Sequence, residues 1–530
     1  MKVLVMLSLI EWYISHTCSH SKFSKSIIPT PNLRHSSFDS SAFPTNERLL
    51  QPMPWRPIRV TIDYSNINGT GVSNEMIEYF SRTVVPTAVK TIQDTLQVRG
   101  YKEIYAFNTT GCDSLITLPD TYKNKEIDTD LLLFVNLRKE EGNHSAWAVP
   151  CLYATYDKRP VMVVLQANVN SFVISQEKVS LDIASVLHEL IHGIALSPTL
   201  YNMFPIDKAS IFNKVNVFGT VKSSVIAEEV VEYAREYFNC SSLEGVPLEF
   251  EGDDVAPGIH WEQNALGNEL MTSQANGHPV LSGFTLRLLK SIGWYKVDLD
   301  YSEQLHWGRN RTCTFLQNLC DFKFPEFCPI MGESSCTSDY YSKTYCSRSA
   351  FSDSCFLKTY KRNLDCTKPY PSFQPTLPSG FENLGPYSRC FETKSMGVST
   401  PGCLPAICAN ETVYFKASNV TYECDYSGAV IVIGTVSVVC PDIQSFCQKL
   451  KATGPNDCSA SGTPREDGGC NCDFFYSGKA CENKLGCDEK NPELCSKIKP
   501  TPIVELGAWI ESATVWGIIS SLALVVIANF

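Results

Sequence analysis

The hydrophobic pattern of the first 300 residues predicts a sheet followed by a buried helix. Residues 55–64 alternate between apolar and polar positions like a strand, and the apolar runs Asp130–Val135 and Val161–Leu165 predict buried strands. Helical spacing predicts helices over residues 78–98, 181–194, 225–238 and 285–292. Apolar residues cover most sides of the second of these, which favours a buried helix. The expected fold class is α+β.

Regular periodicity fades after about residue 300, where cysteines become dense. Four of the 23 cysteines precede residue 300 and nineteen lie between Cys313 and Cys495. Such density is typical of a disulfide framework in an oxidising compartment, and we expect 313–447 to be loop-rich and bridged. Zinc ribbons are the alternative, but no pair of CxxC knuckles is present. The spacing from Cys470 and Cys472 to Cys481 matches the end of an EGF-like module, with chance as the alternative.

Length and composition place the chain among globular proteins of the secretory route. A length of 530 residues, 44% of them hydrophobic, suffices for about three or four domains. The net charge of −11 includes no basic run, so nothing favours binding to nucleic acid. N-x-S/T sequons agree with secretion, and they stand at Asn68, Asn108, Asn143, Asn239, Asn310, Asn410 and Asn419.

Both ends of the chain carry apolar segments typical of targeting signals. Lys2 and the apolar run Val3–Ile10 predict a signal peptide, although Glu11 is unusual there. The 18 residues Ala513–Phe530 carry no charge. We expect them to be the signal for a lipid (GPI) anchor, and a single membrane-spanning helix is the alternative.

The sequence His188-Glu189-Leu190-Ile191-His192 has the HExxH arrangement of zinc peptidases. Residues four apart lie on one face of a helix, so both imidazoles can bind one metal ion, with Glu189 beside it. Two hydrogen-bonded core histidines are the alternative interpretation.

A catalytic zinc site needs a third protein ligand and an open position. The residues alone leave three candidates. One is a glutamate on a later helix, Glu228 or Glu229, although a solvated helix face suits these residues better. The others are His278, in a turn, and His260.

The segment from His260 to Met271 makes the chain resemble the leishmanolysin-type metallopeptidases, which are metzincins. In that family a long insertion separates the helical pair from a third histidine, and a methionine turn follows. The resemblance covers about residues 55–320 and includes four further stretches: Ala146–Cys151, Ala234–Cys240, Ser282–Thr285 and Gly293–Tyr295. It implies one catalytic Zn²⁺ held by His188, His192 and His260, with Met271 beneath the ligands.

The resemblance extends to the N-terminal region, where His16-Thr17-Cys18-Ser19-His20 is similar to the H-x-C-x-H element of the family's pro-segment. It implies that the Cys18 thiolate occupies the open zinc position until the pro-segment is cleaved. Without Cys18 an even number of cysteines, 22 of the 23, remains for pairing. The alternative is that Cys18 belongs to the signal peptide.

One position departs from the metzincin pattern. Metzincins carry glycine three residues after the second histidine, where this chain has Ala195. Two consequences are open: Ala195 adopts a positive φ at a cost of about 1 kcal/mol, or the helix ends differently.

These patterns predict a metzincin-type zinc peptidase domain followed by a disulfide-rich region with an EGF-like module. The predicted function is a zinc-dependent endopeptidase, secreted or at the cell surface, with protein or peptide substrates and Glu189 as general base. The alternative is a catalytically impaired surface protein of the same fold, acting in binding or adhesion. The predicted organisation is a signal peptide (1–15), a pro-segment (16–53), the peptidase domain (54–300, insertion about 198–259), a cysteine-rich domain (301–450), an EGF-like module (451–495) and a linker with anchor signal (496–530).

Overall fold

The computed structural model describes most of residues 54–449 and the backbone of four short strands between residues 462 and 484. Within 54–449 it leaves out 68–70, 100–103, 107–111, 113, 142–143, 155–156, 176–177, 218, 250–257, 275–277, 304, 318–319, 349–351, 354, 368–376, 386 and 410–411. The chain divides into two compact units. The first runs to Met331 and includes Cys346–Arg362; the second comprises Gly332–Tyr345 and residues from Asn363 onward.

The first unit combines helices and strands. Its strands are β1 (Trp55–Pro57), β2 (Val60–Asp63), β3 (Leu96–Arg99), β4 (Ile104–Ala106), β5 (Lys125–Ile127), β6 (Leu131–Arg138), β7 (Ala146–Tyr153), β8 (Pro160–Asn168), β9 (Phe212–Val217), β10 (Thr220–Val225), β11 (Val246–Pro247) and β12 (Lys296–Val297). Its α-helices are α1 (Asn74–Tyr79), α2 (Val85–Thr95), α3 (Val179–Ile194), α4 (Glu228–Phe238), α5 (Gln263–Leu266), α6 (Gly283–Ser291) and α7 (Thr312–Gln317).

The central sheet of this unit has the strand order β2-β6-β8-β7. The first three strands are parallel, and β7 runs antiparallel to β8 at the edge. Nearly every side chain of β6 and β8 is buried, as expected for strands covered on both faces. The strands predicted at 130–135 and 161–165 are therefore confirmed, in a mixed sheet.

Two elements near the N-terminal end differ from the predicted pattern. The predicted helix over 78–98 is α1, a π-helical turn (Phe80–Val84) and α2, and it ends where β3 begins. Residues from Leu96 onward pair with β1 and β12, so tertiary pairing overrides the helical spacing. The predicted strand over 55–64 is two strands, because β1 pairs with β3 whereas β2 pairs with β6.

Helix α3 lies against the central sheet and is buried from Leu181 to Ile194. A Cβ atom on Gly193 would lie 2.7 Å from Val163 Cγ1 on β8 and 3.2 Å from Ala148 Cβ on β7. Glycine at this position therefore allows the close approach of the helix to the sheet.

The described part of the segment predicted as an insertion contains a sheet and a helix. Strands β9, β10 and β11 form an antiparallel sheet, and helix α4 follows β10. Phe284 of helix α6 packs edge-on against Tyr237 of α4, with ring centroids 5.0 Å apart. A disulfide from Cys240, just beyond α4, to Cys313 ties this segment to later chain.

The second unit corrects the expectation of a loop-rich region. Two four-stranded antiparallel sheets, ordered β15-β18-β19-β20 and β17-β16-β22-β21, share a core that includes Phe391, Phe415 and Phe446. Alternating burial in β19 shows the strand pattern that the cysteine density obscured. The elements are β13 (Ser334–Cys336), β14 (Lys343–Tyr345), β15 (Ser388–Phe391), β16 (Thr393–Ser395), β17 (Val398–Ser399), β18 (Gly402–Ala409), β19 (Thr412–Ala417), β20 (Val420–Cys424), β21 (Val430–Ile433), β22 (Val436–Val439) and α8 (Ile443–Lys449).

The disulfide framework predicted from cysteine density is confirmed over the described residues. The pairs are Cys112–Cys151, Cys240–Cys313, Cys320–Cys355, Cys328–Cys346, Cys336–Cys390, Cys366–Cys403, Cys408–Cys447 and Cys424–Cys440.

Several predicted segments lie wholly or partly outside the described residues. The signal peptide, Cys18, the pro-segment and the apolar C-terminal segment are among them. In the predicted EGF-like module only two backbone pairings are described, Gly462–Pro464 with Cys470–Cys472 and Tyr476–Ser477 with Asn483–Lys484. No helix among the described residues combines the length and apolar character needed to cross a bilayer.

Candidate metal centre

Helix α3 and the segment before α5 bring three histidines together. The Nε2 atoms of His188 and His192 are 3.0 Å apart, as one helical turn allows. The Nε2 atom of His260 lies 3.1 Å from that of His192 and 3.3 Å from that of His188. The three residues are 5%, 0% and 3% exposed in chain order. Across the described part of the chain they are the one group of three or more His, Cys, Asp or Glu positioned to bind a metal ion.

The hydrogen bonds of the first two histidines direct their lone pairs into this triangle. His188 Nδ1 lies 2.7 Å from the carbonyl oxygen of Leu270, and His192 Nδ1 lies 2.7 Å from that of Leu196. A carbonyl only accepts, so each Nδ1 carries the proton and each Nε2 presents a lone pair. Lone pairs about 3 Å apart repel one another unless a cation lies between them.

The spacing of the three nitrogens fits one tetrahedral ion. Ligand nitrogens about 2.0–2.1 Å from a zinc ion lie about 3.3 Å from each other when the geometry is tetrahedral. The observed Nε2 separations are 3.0, 3.1 and 3.3 Å. The donor set therefore fits a zinc ion with one coordination position left open.

Backbone hydrogen bonds on both sides hold His260 in place. Its carbonyl accepts from Glu249 N at 2.9 Å, and the following residue, Trp261, donates its N–H to the Met271 carbonyl at 2.9 Å. The indole nitrogen of Trp261 donates to Thr285 Oγ1 at 2.9 Å. His260 is therefore held between Glu249 of the insertion on one side and the turn that contains Met271 on the other.

The turn at Met271 is held by a buried carboxylate. Met271 is fully buried, and its N–H donates to Glu269 Oε2 at 2.5 Å. Glu269 Oε1 accepts from the hydroxyls of Ser282 and Thr285 at 2.8 and 2.6 Å. Burial raises the pKa of Glu269 to about 7, although the hydrogen bonds from Thr285, Met271 and Ser282 act to lower it.

The structure places the other predicted residues as follows. Glu189 is buried in α3 directly after His188. Glu229 lies on the surface of α4, where it pairs with Lys290 at 2.8 Å, and Glu228 is exposed beside it. His278 lies against the ring of Tyr360 in a tilted arrangement, with centroids 5.5 Å apart. Of the three candidate third ligands, the fold brings only His260 to the helical pair.

Helix α3 ends without the strain considered for Ala195. This residue has φ −149° and ψ −59°, so it does not adopt the left-handed conformation. Leu196 N donates to the Ile191 carbonyl at 3.0 Å, and the Leu196 carbonyl then accepts from His192. The second of the two open consequences is the one observed: the helix ends differently.

A charged cluster near His260 was not predicted from the sequence. Lys222 Nζ lies 2.8 Å from Glu262 Oε2, and Glu249 Oε2 accepts from Gln263 N at 3.2 Å. Burial raises the pKa of Glu249, and the nearby charge of Glu262 adds to the shift. The sequence does not single out Glu249 or Glu262, because other polar residues lie within two positions of each, and the carbonyls of Leu196 and Leu270 leave no signal either.

Comparison with known proteins bears on the same region. A model of the Peptidase_M8 family, described as leishmanolysin, matches residues 72–348, which is about half of the 530 residues and includes the three histidines. The chain belongs to the leishmanolysin family. The predicted resemblance is confirmed.

Curated relatives of this leishmanolysin-family chain include animal and protozoan proteins. A leishmanolysin-like peptidase of Caenorhabditis elegans is 26% identical over 252 residues, 40% of this chain and 37% of the relative. One of Drosophila melanogaster is 22% identical over 412 residues, 60% of each chain. Leishmanolysin of Leishmania amazonensis is 28% identical over 255 residues, 47% of this chain and 41% of the relative. The matched part thus spans less than two thirds of each relative's length.

Proposed function

We propose that the chain is a zinc-dependent endopeptidase that acts on protein or peptide substrates in the secreted space or at the cell surface. The observation that carries this proposal is the triangle of Nε2 atoms formed by His188, His192 and His260, with separations of 3.0–3.3 Å. Zinc at this position would supply a Lewis acid and lower the pKa of its water to about 7.

Glu189 is the proposed general base. It is buried in α3 directly after His188, so its carboxylate is shielded from bulk water. In peptide hydrolysis it takes the proton of the attacking water and passes that proton to the leaving amine. Met271, fully buried beyond His260, is the proposed apolar floor of the site.

The edge of the central sheet is the proposed substrate-binding element. Strand β7 (Ala146–Tyr153) ends the strand order and lies next to α3 through the contact of Ala148 with Gly193. An extended peptide can add to such an edge through backbone hydrogen bonds. This arrangement would bring a peptide bond alongside the helix that carries the proposed base.

The remaining sequence predictions belong to the same proposal. We propose that Cys18 blocks the zinc until the pro-segment is removed, and that the apolar segment Ala513–Phe530 directs membrane attachment. The alternative, a surface protein without turnover, drew support from Ala195. Because Ala195 has a negative φ, this residue no longer argues for impaired catalysis.

The test is cleavage of a peptide mixture by the purified, pro-segment-free chain, compared with Glu189→Gln. The glutamine keeps the shape of the side chain but cannot take a proton. We expect one zinc per chain in both proteins and cleavage products only from the unsubstituted one, with at least a hundredfold loss in the variant. Bound zinc without cleavage in either protein would favour the alternative, a surface protein that acts in binding without turnover.

A further inference from the structure

We propose that Glu269 is a positioning residue of the metal centre, which orients two of the three histidines through the turn that contains Met271. The inference rests on the proposed function, because it assigns a role in zinc binding to a residue that does not touch the ion. Two paths of hydrogen bonds lead outward from its carboxylate, one to His188 and one to His260.

The Glu269 carboxylate joins the turn to the start of helix α6. Its Oε2 accepts from Met271 N at 2.5 Å. Its Oε1 accepts from Ser282 Oγ at 2.8 Å, from Ser282 N at 3.3 Å and from Thr285 Oγ1 at 2.6 Å. Ser282 is the N-cap of α6, so one 1% exposed side chain fixes the turn to a helix end.

The first path leads from the turn to His188. Leu270 lies between Glu269 and Met271, and its carbonyl accepts from His188 Nδ1 at 2.7 Å. A fixed carbonyl at this distance sets the ring orientation and the tautomer that presents Nε2 to a metal. Displacement of the turn would therefore rotate a proposed zinc ligand.

The second path leads to His260. The Met271 carbonyl accepts from Trp261 N at 2.9 Å, in the residue that follows His260. Thr285 Oγ1 accepts from the indole nitrogen of Trp261 at 2.9 Å and donates to Glu269 Oε1. Glu269 is thus connected to the His260 segment both through the backbone of the turn and through a side chain of α6.

Removal of the carboxylate should loosen both paths. In Glu269→Ala the Met271 N–H, the Ser282 N–H and two hydroxyls lose their buried acceptor, so the turn must move to satisfy them. Glu269→Gln keeps one oxygen that can accept from Met271 N, but its NH2 group cannot accept from Ser282 N, so this variant should preserve the geometry only in part. Substitution of such supporting groups typically lowers metal affinity about 10- to 100-fold.

A buried glutamate of the same unit provides the matched control. Glu326 is 0% exposed, and its Oε1 accepts from Gly308 N at 3.1 Å and from Arg311 Nε at 3.4 Å. None of these contacts involves a histidine or its hydrogen-bonding carbonyl. Glu326→Ala therefore removes a comparable buried carboxylate without disturbing the proposed paths.

The experiment measures the rate of zinc release to a chromophoric chelator from the full chain and its variants. We expect release from Glu269→Ala to be at least tenfold faster than from the unsubstituted chain, with Glu269→Gln between these two and Glu326→Ala unchanged. The inference is overturned if Glu269→Ala releases zinc at the unsubstituted rate, or if Glu326→Ala accelerates release equally.

One further variant keeps the outcome decisive. If Glu269→Ala does not fold, Thr285→Val takes its place, since it removes one donor to Glu269 and the acceptor of Trp261. Faster release from this variant supports the inference and unchanged release overturns it. Failure of the proposed function is distinguishable, because it would show in the unsubstituted chain itself, as absent zinc or absent cleavage, and not as a difference in zinc release between the variants.

Discussion

Gly193→Ala tests the close approach of helix α3 to the central sheet. The added methyl group would lie 2.7 Å from Val163 Cγ1, about 1 Å closer than carbon atoms normally pack. Val163 is fully buried in β8, and its β-branched side chain has little rotamer freedom. The helix and the strand must therefore separate to admit the methyl group.

Two opposing effects set the magnitude. Forcing a methyl group into a packed core costs about 1–3 kcal/mol, whereas alanine gains about 1 kcal/mol over glycine inside a helix. Overpacking is the larger effect, so we expect the free energy of unfolding to fall by up to about 2 kcal/mol. Val163→Ala removes the obstructing Cγ1 atom. In that background the added methyl group fills space, and Gly193→Ala should stabilise by up to about 1 kcal/mol.

The assay is denaturant unfolding of the four proteins in this double-mutant cycle. The account predicts a reversal of sign for Gly193→Ala between the two backgrounds, with a coupling energy of about 1–3 kcal/mol. Gly193→Ala that stabilises equally in both backgrounds would refute the close approach.

Three other variants, one of them a double substitution, test separate parts of the account. Burial raises the pKa of Glu249 in the folded chain above its value in the unfolded chain, so the stability that its protonated form contributes is present below about pH 4.5 and lost as pH rises. Between pH 5 and 8 the free energy of unfolding of Glu249→Gln should therefore rise relative to that of the unsubstituted chain. A constant difference would contradict this. Ala195→Gly should lower the free energy of unfolding by about 0.5–1 kcal/mol, since φ is negative there; a gain of stability would indicate a strained alanine. Replacing both Cys424 and Cys440 by alanine removes a disulfide between positions 16 residues apart and should lower the free energy of denaturant unfolding by about 3 kcal/mol. Both cysteines lie in the second unit, so the zinc content should stay the same, and a loss of zinc would contradict this.

Local patterns predicted the parts of the fold that are governed by burial. The buried runs became β6 and β8, and the helical spacing around His188 became α3. The sheets of the second unit were missed, because the cysteine density favoured a loop-rich interpretation over the alternation that strand β19 shows. The end of the predicted helix over 78–98 was missed because pairing with β1 decides where β3 begins.

The candidate site divides in the same way. The spacing of His188 and His192 along one helix predicted that they share a face. Residues alone did not select His260 over Glu229 or His278, because that choice depends on how the chain folds between His192 and His260, which are 68 positions apart. The resemblance to a family supplied it. The supporting carbonyls of Leu196 and Leu270 could not be predicted, since every residue carries the same backbone C=O group.

The most direct test of the account is zinc content per chain, measured by elemental analysis after dialysis, in the unsubstituted protein and two variants. We predict one zinc in the unsubstituted chain, one in Glu229→Ala, whose side chain pairs with Lys290 on the surface of α4, and none in His260→Ala. Zinc that persists in His260→Ala but is lost from Glu229→Ala would contradict the three-histidine centre.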